Sequence, residues 1–138
     1  LDLGVTGRGE NQPPPASFEP HATGSNYTSY LTSGMSIKKG KVFVLTGTLP
    51  TFPDTRAGEK TLTPAQCRYW SITSYDAEFP FSKIKGLENT CIMDDEIVLN
   101  SKREYVIVYS RVEDRPANAT RENGVTWVPW GNTCTQSL

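Results

Sequence analysis

The chain has 138 residues and a mass of 15.3 kDa, a size that suits one domain with a sizeable core. Its 14 basic and 15 acidic residues give a formal net charge of -1, so no whole-molecule field attracts nucleic acid or an anionic membrane. No apolar run approaches the roughly 20 residues that span a bilayer. We therefore predict no nucleic-acid partner and no membrane insertion.

Residues 1–36 are rich in proline, glycine and small polar residues and have no sustained apolar period. Such a composition favours an extended backbone, so the sequence predicts an N-terminal arm followed by a β domain over residues 37–138. The arm is either a linker or a segment that adds a strand to the sheet edge of a neighbouring molecule. In the second case Tyr27, Tyr30 and Leu31 are expected to fill pockets on another copy of the chain or on another surface protein.

Several apolar, β-branched runs separated by turn residues follow the arm. Residues 41–49 form the first, and residues 67–76 form the densest, with aromatic side chains on both alternating faces; we predict the latter to be the central strand. Residues 97–99 and 104–110, separated by four polar residues, predict a hairpin, and residues 125–128 a further strand. No convincing long helix appears, so the expected fold is an all-β, antiparallel β-sandwich.

Three aromatic segments carry a resemblance to a known family. Residues 69–76 (Tyr-Trp-Ser-Ile-Thr-Ser-Tyr-Asp), 105–110 and 127–131 (Trp-Val-Pro-Trp-Gly) resemble a family of exported bacterial proteins with a C-terminal jelly-roll-like domain. The resemblance covers about residues 40–131 and departs from the family pattern at Val128, where leucine is usual, and in the charged loop around Asp114. It implies a jelly-roll-like sandwich and an extracytoplasmic or secreted location, and it supplies no catalytic residue.

The three cysteines have no spacing typical of a metal site, and the single histidine, His21, lies in the arm. Cys91 and Cys134 share an Asn-Thr-Cys context and are predicted to form a disulfide, with Cys67 a buried thiol. A Cys67–Cys91 pairing and three reduced cysteines remain alternatives.

The acidic run Asp94, Asp95 and Glu96 matches no calcium loop and is interpreted as a solvated loop. We expect neither a metal nor a cofactor.

Catalytic chemistry has no clear basis in the sequence, because no serine or cysteine has a suitable histidine partner. Binding has more support. Trp127 and Trp130 cannot share a face of a regular strand, so one is expected in the core and the other partly exposed, where it can stack on a sugar ring together with Tyr69. Burial of both tryptophans in the core is the favoured alternative to sugar stacking. Arg111 and Arg115, with Arg103 and Arg121, are candidates for a cluster at one end of the sandwich, where guanidinium groups can bind a carboxylate or sugar acid. The favoured alternative is that they pair with neighbouring acidic residues and hold the loops in place.

The sequons at Asn26 and Asn118 both fall in predicted loops and are candidate glycosylation sites.

Two functions remain open. The first is a non-enzymatic structural or assembly module that uses its arm, and the second is a module that binds carbohydrate or another small ligand. The absence of a base and a nucleophile in one place argues against an enzyme.

Overall fold

The computed structural model describes residues 4–6, 34–76, 91–131 and 135–137. Within these ranges most regular structure is strand: β1 (Gly4–Thr6), β2 (Gly34–Ser36), β3 (Val42–Thr48), β4 (Ser71–Thr73), β5 (Tyr75–Asp76), β6 (Cys91–Met93), β7 (Glu104–Ser110), β8 (Val125–Pro129) and β9 (Thr135–Ser137). The helices of the described residues are three-residue 3-10 turns at Asp94–Glu96, Val112–Asp114 and Arg121–Asn123. The predicted all-β character is confirmed.

The strands form three sheets. The largest has the order β1-β3-β7-β8, and two small sheets have the orders β2-β9-β5 and β4-β6. All pairings are antiparallel except that of β7 with β8, which is parallel. The prediction of a purely antiparallel sheet is therefore wrong at this pair. Residues 111–124 separate the two strands, and a connection of about a dozen residues is long enough to return the chain for a parallel strand.

The central strand is β7 and not the segment 67–76. β7 lies between β3 and β8 and pairs with β3 over seven residues, from Val42 opposite Ser110 to Thr48 opposite Glu104. The segment 67–76 contributes only the short strands β4 and β5, which belong to the two small sheets. Its two tyrosines are not buried as a central strand would require: Tyr69 is 59% exposed and Tyr75 44%. Aromatic density alone led to the wrong assignment.

The core lies on one face of the large sheet. Leu45 of β3 and Val128 of β8 lie on either side of the β7 side chains Tyr105, Ile107 and Tyr109, and all are buried. The same cluster includes Met35 of β2, and half-buried side chains from the smallest sheet pack against it: Ile72 and Ile92. The core therefore joins the large sheet to residues of both small sheets.

The N-terminal arm is described only at β1 and β2. β1 pairs with β3, placing Val5 opposite Leu45, and Met35 of β2 is buried in the core. The candidate arm residues Tyr27, Tyr30 and Leu31 lie outside the described residues.

The predicted hairpin between residues 97–99 and 104–110 is present as one antiparallel bridge, between Leu99 and Tyr105.

No helix in the described ranges is both long enough and apolar enough to cross a membrane.

Gly47 of β3 faces Tyr105 of β7 across the sheet, and the tyrosine ring occupies the space where a side chain would begin. A Cβ at Gly47 would lie 2.7 Å from the Tyr105 hydroxyl oxygen and 2.9 Å from Cζ. We predict that Gly47→Ala lowers the free energy of unfolding by about 1–3 kcal/mol, as overpacking does in a filled core. Urea denaturation measures the change.

Gly40→Ala is the matched control, because its Cβ would make only an ordinary contact, 3.7 Å from the Val42 carbonyl oxygen. Equal stability of the two alanine variants would show that Tyr105 does not constrain position 47.

Candidate functional site

Trp127, an expected sugar-stacking residue, is half-buried and already covered on its ring. The guanidinium carbon of Arg115 lies 4.4 Å from the Trp127 ring centroid, and Arg115 also donates from Nε and Nη2 to the Ala119 carbonyl oxygen at 3.1 and 2.6 Å. The indole Nε1 of Trp127 donates to Ser110 Oγ at 3.0 Å. These contacts hold the 111–124 connection against the sheet, so we interpret Arg115 and Trp127 as a structural pair.

Trp130 is a core residue, only 4% exposed. Its backbone N–H donates to the Ser110 carbonyl oxygen at 2.6 Å. Of the two tryptophans, one is therefore buried and the other partly exposed, as the spacing across Pro129 predicted. Neither offers a free ring for stacking.

The arginines do not gather at one end. Arg103 donates from Nε to the Leu49 carbonyl oxygen and from Nη2 to that of Pro50, at 3.2 and 2.6 Å. Arg121 donates to the Glu96 carbonyl oxygen. Arg111 directly follows β7, and its Nε is buried without a hydrogen-bond acceptor among the described residues. The candidate four-arginine site for a sugar acid is thus not assembled, and Arg103 and Arg121 instead hold loop carbonyl groups, in line with the structural alternative.

Tyr69 is the aromatic candidate binding residue whose side chain is exposed to solvent. It lines a shallow cleft of about 120 Å³, and the cleft wall is otherwise mostly charged and polar: Pro53, Asp54, Thr55, Arg56, Arg68, Met93, Asp94 and Asp95. The loop after β3 supplies one side of this wall, and the 3-10 turn Asp94–Glu96 supplies another. We therefore take the Tyr69 cleft, defined by these nine residues, as the candidate functional site.

Hydrogen bonds fix the carboxylates of the cleft. Asp94 accepts from the Trp70 N–H at 2.9 Å through Oδ2 and from the Asp95 N–H at 3.0 Å through Oδ1. Asp95 pairs with Arg56, with 2.8 Å between Oδ2 and Nε. The interpretation of this acidic run as a solvated loop is therefore incomplete, because its side chains form hydrogen bonds and an ion pair that hold the 3-10 turn, the loop after β3 and the 67–76 segment together.

The tyrosine itself is held by its neighbours. Arg68 Nη1 donates to the carbonyl oxygens of Thr61 and Thr63 at 2.9 and 3.1 Å, which closes a turn beside the cleft. The Cys67 N–H donates to the Thr51 carbonyl oxygen at 3.0 Å, tying the same segment to the loop after β3. These bonds on both preceding residues limit the positions that Tyr69 can take.

The geometry does not activate Cys67 as a nucleophile. Cys67 is half-buried, and burial, followed by the nearby Asp94 carboxylate, raises the pKa of its thiol, an effect that Arg103 opposes. A raised pKa disfavours the thiolate, which is the nucleophilic form. Within the described ranges, no group of three His, Cys, Asp or Glu side chains is arranged to hold a metal ion.

Cys91 is half-buried, with its Sγ 3.9 Å from Met93 Sδ, and the part of the chain that the structure describes contains no disulfide. Cys134 lies outside the described residues, so the Cys91–Cys134 pairing stays a prediction.

Of the two candidate glycosylation sites, Asn118 is exposed in the 111–124 connection, and Asn26 falls outside the described residues.

The sequence did not predict the other residues that line the Tyr69 cleft. Asp54 and Arg56 looked like ordinary loop residues, and their proximity to Asp94 and Asp95 depends on how that loop folds against the 3-10 turn. The only available signal was their polar character within a proline-bounded loop.

Comparison with protein-family models, with curated proteins and with solved structures returned no match.

Asp94 is the carboxylate on which the wall of the Tyr69 cleft depends. We predict that Asp94→Ala lowers the free energy of unfolding by about 1–3 kcal/mol, because the part-buried Trp70 N–H loses its acceptor. Asp95→Ala breaks only an ion pair with the exposed Arg56 and should cost less than about 1 kcal/mol. Thermal unfolding of both variants compares them, and a larger loss for Asp95→Ala would contradict this assignment.

Proposed function

We propose that the chain is a non-enzymatic, extracytoplasmic binding module of the β-sandwich type that binds a neutral oligosaccharide in the Tyr69 cleft. The exposed Tyr69 ring beside fixed polar groups is the observation that carries this proposal. A tyrosine offers an apolar face for the C–H side of a sugar ring. The sandwich architecture is supported by the core shared between the large sheet and the small sheets, and the location by the resemblance to exported proteins.

The fixed polar groups suit hydroxyl recognition. An ionised carboxylate has about four acceptor positions, and Asp94 uses two of them, for the N–H groups of Trp70 and Asp95. The remaining positions can accept sugar hydroxyls. Because the carboxylate is already held in place, little conformational entropy is lost on binding.

The charge of the cleft selects among sugars. Three carboxylates, those of Asp54, Asp94 and Asp95, face two guanidinium groups, those of Arg56 and Arg68. An anionic sugar would meet a surplus of negative charge, so we expect neutral sugars to bind in preference to sugar acids. This expectation replaces the sugar-acid site that the arginine positions had suggested.

We predict that Tyr69→Ala weakens binding of a neutral oligosaccharide by about fivefold or more, because an aromatic contact contributes on the order of 1 kcal/mol. Calorimetric titration with cello-, xylo-, chito- and galacturono-hexaose measures the affinities. Tyr75→Ala is the control, because Tyr75 is also exposed but does not line the cleft. If none of the neutral hexaoses binds, or if both alanine variants bind them as well as the parent chain, the proposal fails.

A second candidate function is assembly, and the pairing of β1 with β3 favours it. β1 belongs to the predicted arm, and it adds an edge strand by pairing its three residues with Val44–Thr46. The same backbone pairing is available to β1 of a neighbouring copy, because main-chain hydrogen bonds do not depend on which molecule supplies the strand.

For this second function we predict concentration-dependent association of the full chain, which Val5→Pro weakens because proline disrupts strand pairing. Gln12→Pro places the same residue elsewhere in the arm and is the control. Sedimentation velocity over a range of concentrations detects the association. A chain that stays monomeric throughout that range would rule out assembly through β1.

A further inference from the structure

One end of the large sheet combines basic and exposed apolar side chains. Val42, at the start of β3, pairs with Ser110, at the end of β7, so the residues before β3 lie beside those after β7. Lys41 Nζ joins the two segments through a 2.9 Å ion pair with Asp114 Oδ1. We call this surface the basic end and define it by Lys38, Lys39, Lys41, Val42, Arg111 and Val112.

The basic end has a charge opposite in sign to that of the chain. Lys38, Lys39, Lys41 and Arg111 supply four positive charges, and Glu113 and Asp114 are the two carboxylates of the adjoining turn. The local balance is therefore positive, although the whole chain has a formal net charge of -1. Screening limits electrostatic interactions to about 10 Å at 0.1 M salt, so a partner at this surface responds mainly to the local charge.

Two valines of the basic end are exposed. Val112 is 71% exposed and Val42 38%. Val112 begins the 3-10 turn Val112–Asp114, in which the Asp114 N–H donates to the Arg111 carbonyl oxygen at 3.1 Å and the Arg115 N–H to that of Val112 at 3.3 Å. Together with the Lys41–Asp114 ion pair, these bonds keep the Val112 side chain on the surface.

We infer that the basic end is a docking surface for an anionic lipid membrane. The lysine ammonium groups pair with lipid phosphates, and Val42 and Val112 enter the boundary between headgroups and acyl chains. Each basic residue near an anionic bilayer raises the binding affinity by about a fewfold. Apolar side chains raise it further when they leave water for the lipid boundary. An anionic polysaccharide matches the charges equally well but offers no apolar phase for the valines, so the lipid surface explains more of the observations.

Vesicle co-sedimentation of the full chain tests the charge requirement. We expect binding to vesicles of phosphatidylglycerol and phosphatidylcholine, none to phosphatidylcholine alone, and a decline with salt. K38E/K39E should lower the partition coefficient by about tenfold or more. K60E/K102E is the matched control with the same change in net charge at two exposed lysines elsewhere, and it should bind more strongly than K38E/K39E. Equal losses for the two pairs, or no binding of the parent chain, would overturn the proposal.

A second comparison tests the apolar requirement. Val112→Ser should reduce the partition severalfold, whereas Leu62→Ser, at a residue that is 80% exposed elsewhere, should not. Both positions are too exposed for a loss of folding to explain a difference, and circular dichroism verifies this. If the chain binds polygalacturonate as strongly as the anionic vesicles, and Val112→Ser leaves vesicle binding unchanged, the surface serves an anionic polysaccharide and the lipid proposal is wrong.

Discussion

Burial of β7 between two strands is the constraint on which the rest of the structure depends. On one face, Tyr105, Ile107 and Tyr109 form the centre of the core, and on the other Ser110 is fully buried beneath the 111–124 connection. Ser110 links the neighbouring strands, because its Oγ accepts from Trp127 and donates to the Arg111 carbonyl oxygen, while its own carbonyl oxygen accepts from Trp130. Burial also raises the pKa of Tyr105 to about 12.

The Tyr69 cleft and the basic end follow from what this central strand leaves uncovered. Trp70 and Ile72 pack against the core, and Tyr69, which precedes β4, is left exposed. At the basic end, the chain leaves β7 through a short turn next to the start of β3. This turn brings Lys41 and Asp114 together. The two surfaces share no residue, so the sugar and lipid proposals stand or fall separately.

The sequence predicted the strands better than their arrangement. Alternation located β3, β7 and β8, and the spacing of Trp127 and Trp130 predicted which kinds of environment they would occupy, because these signals are local. The choice of central strand failed because the aromatic residues Tyr69 and Tyr75 suggested burial on both faces, and burial depends on which other segments pack there. The cleft could not be predicted for the same reason: Arg56 and Asp95 are 39 positions apart, and their contact is set by the tertiary fold.

The parallel pairing of β7 with β8 also bears on the order of folding. Val106 pairs with Val125, 19 positions later, whereas Val42 pairs with Ser110 across 68 positions. The entropic cost of closing a loop increases with its length, so the shorter connection is the less costly to close. The β7–β8 unit, with Arg115 already able to stack on Trp127, is thus suited to form first and to present β7 as a template for β3. In kinetic terms, we expect the 111–124 connection to nucleate folding, in addition to covering the sheet.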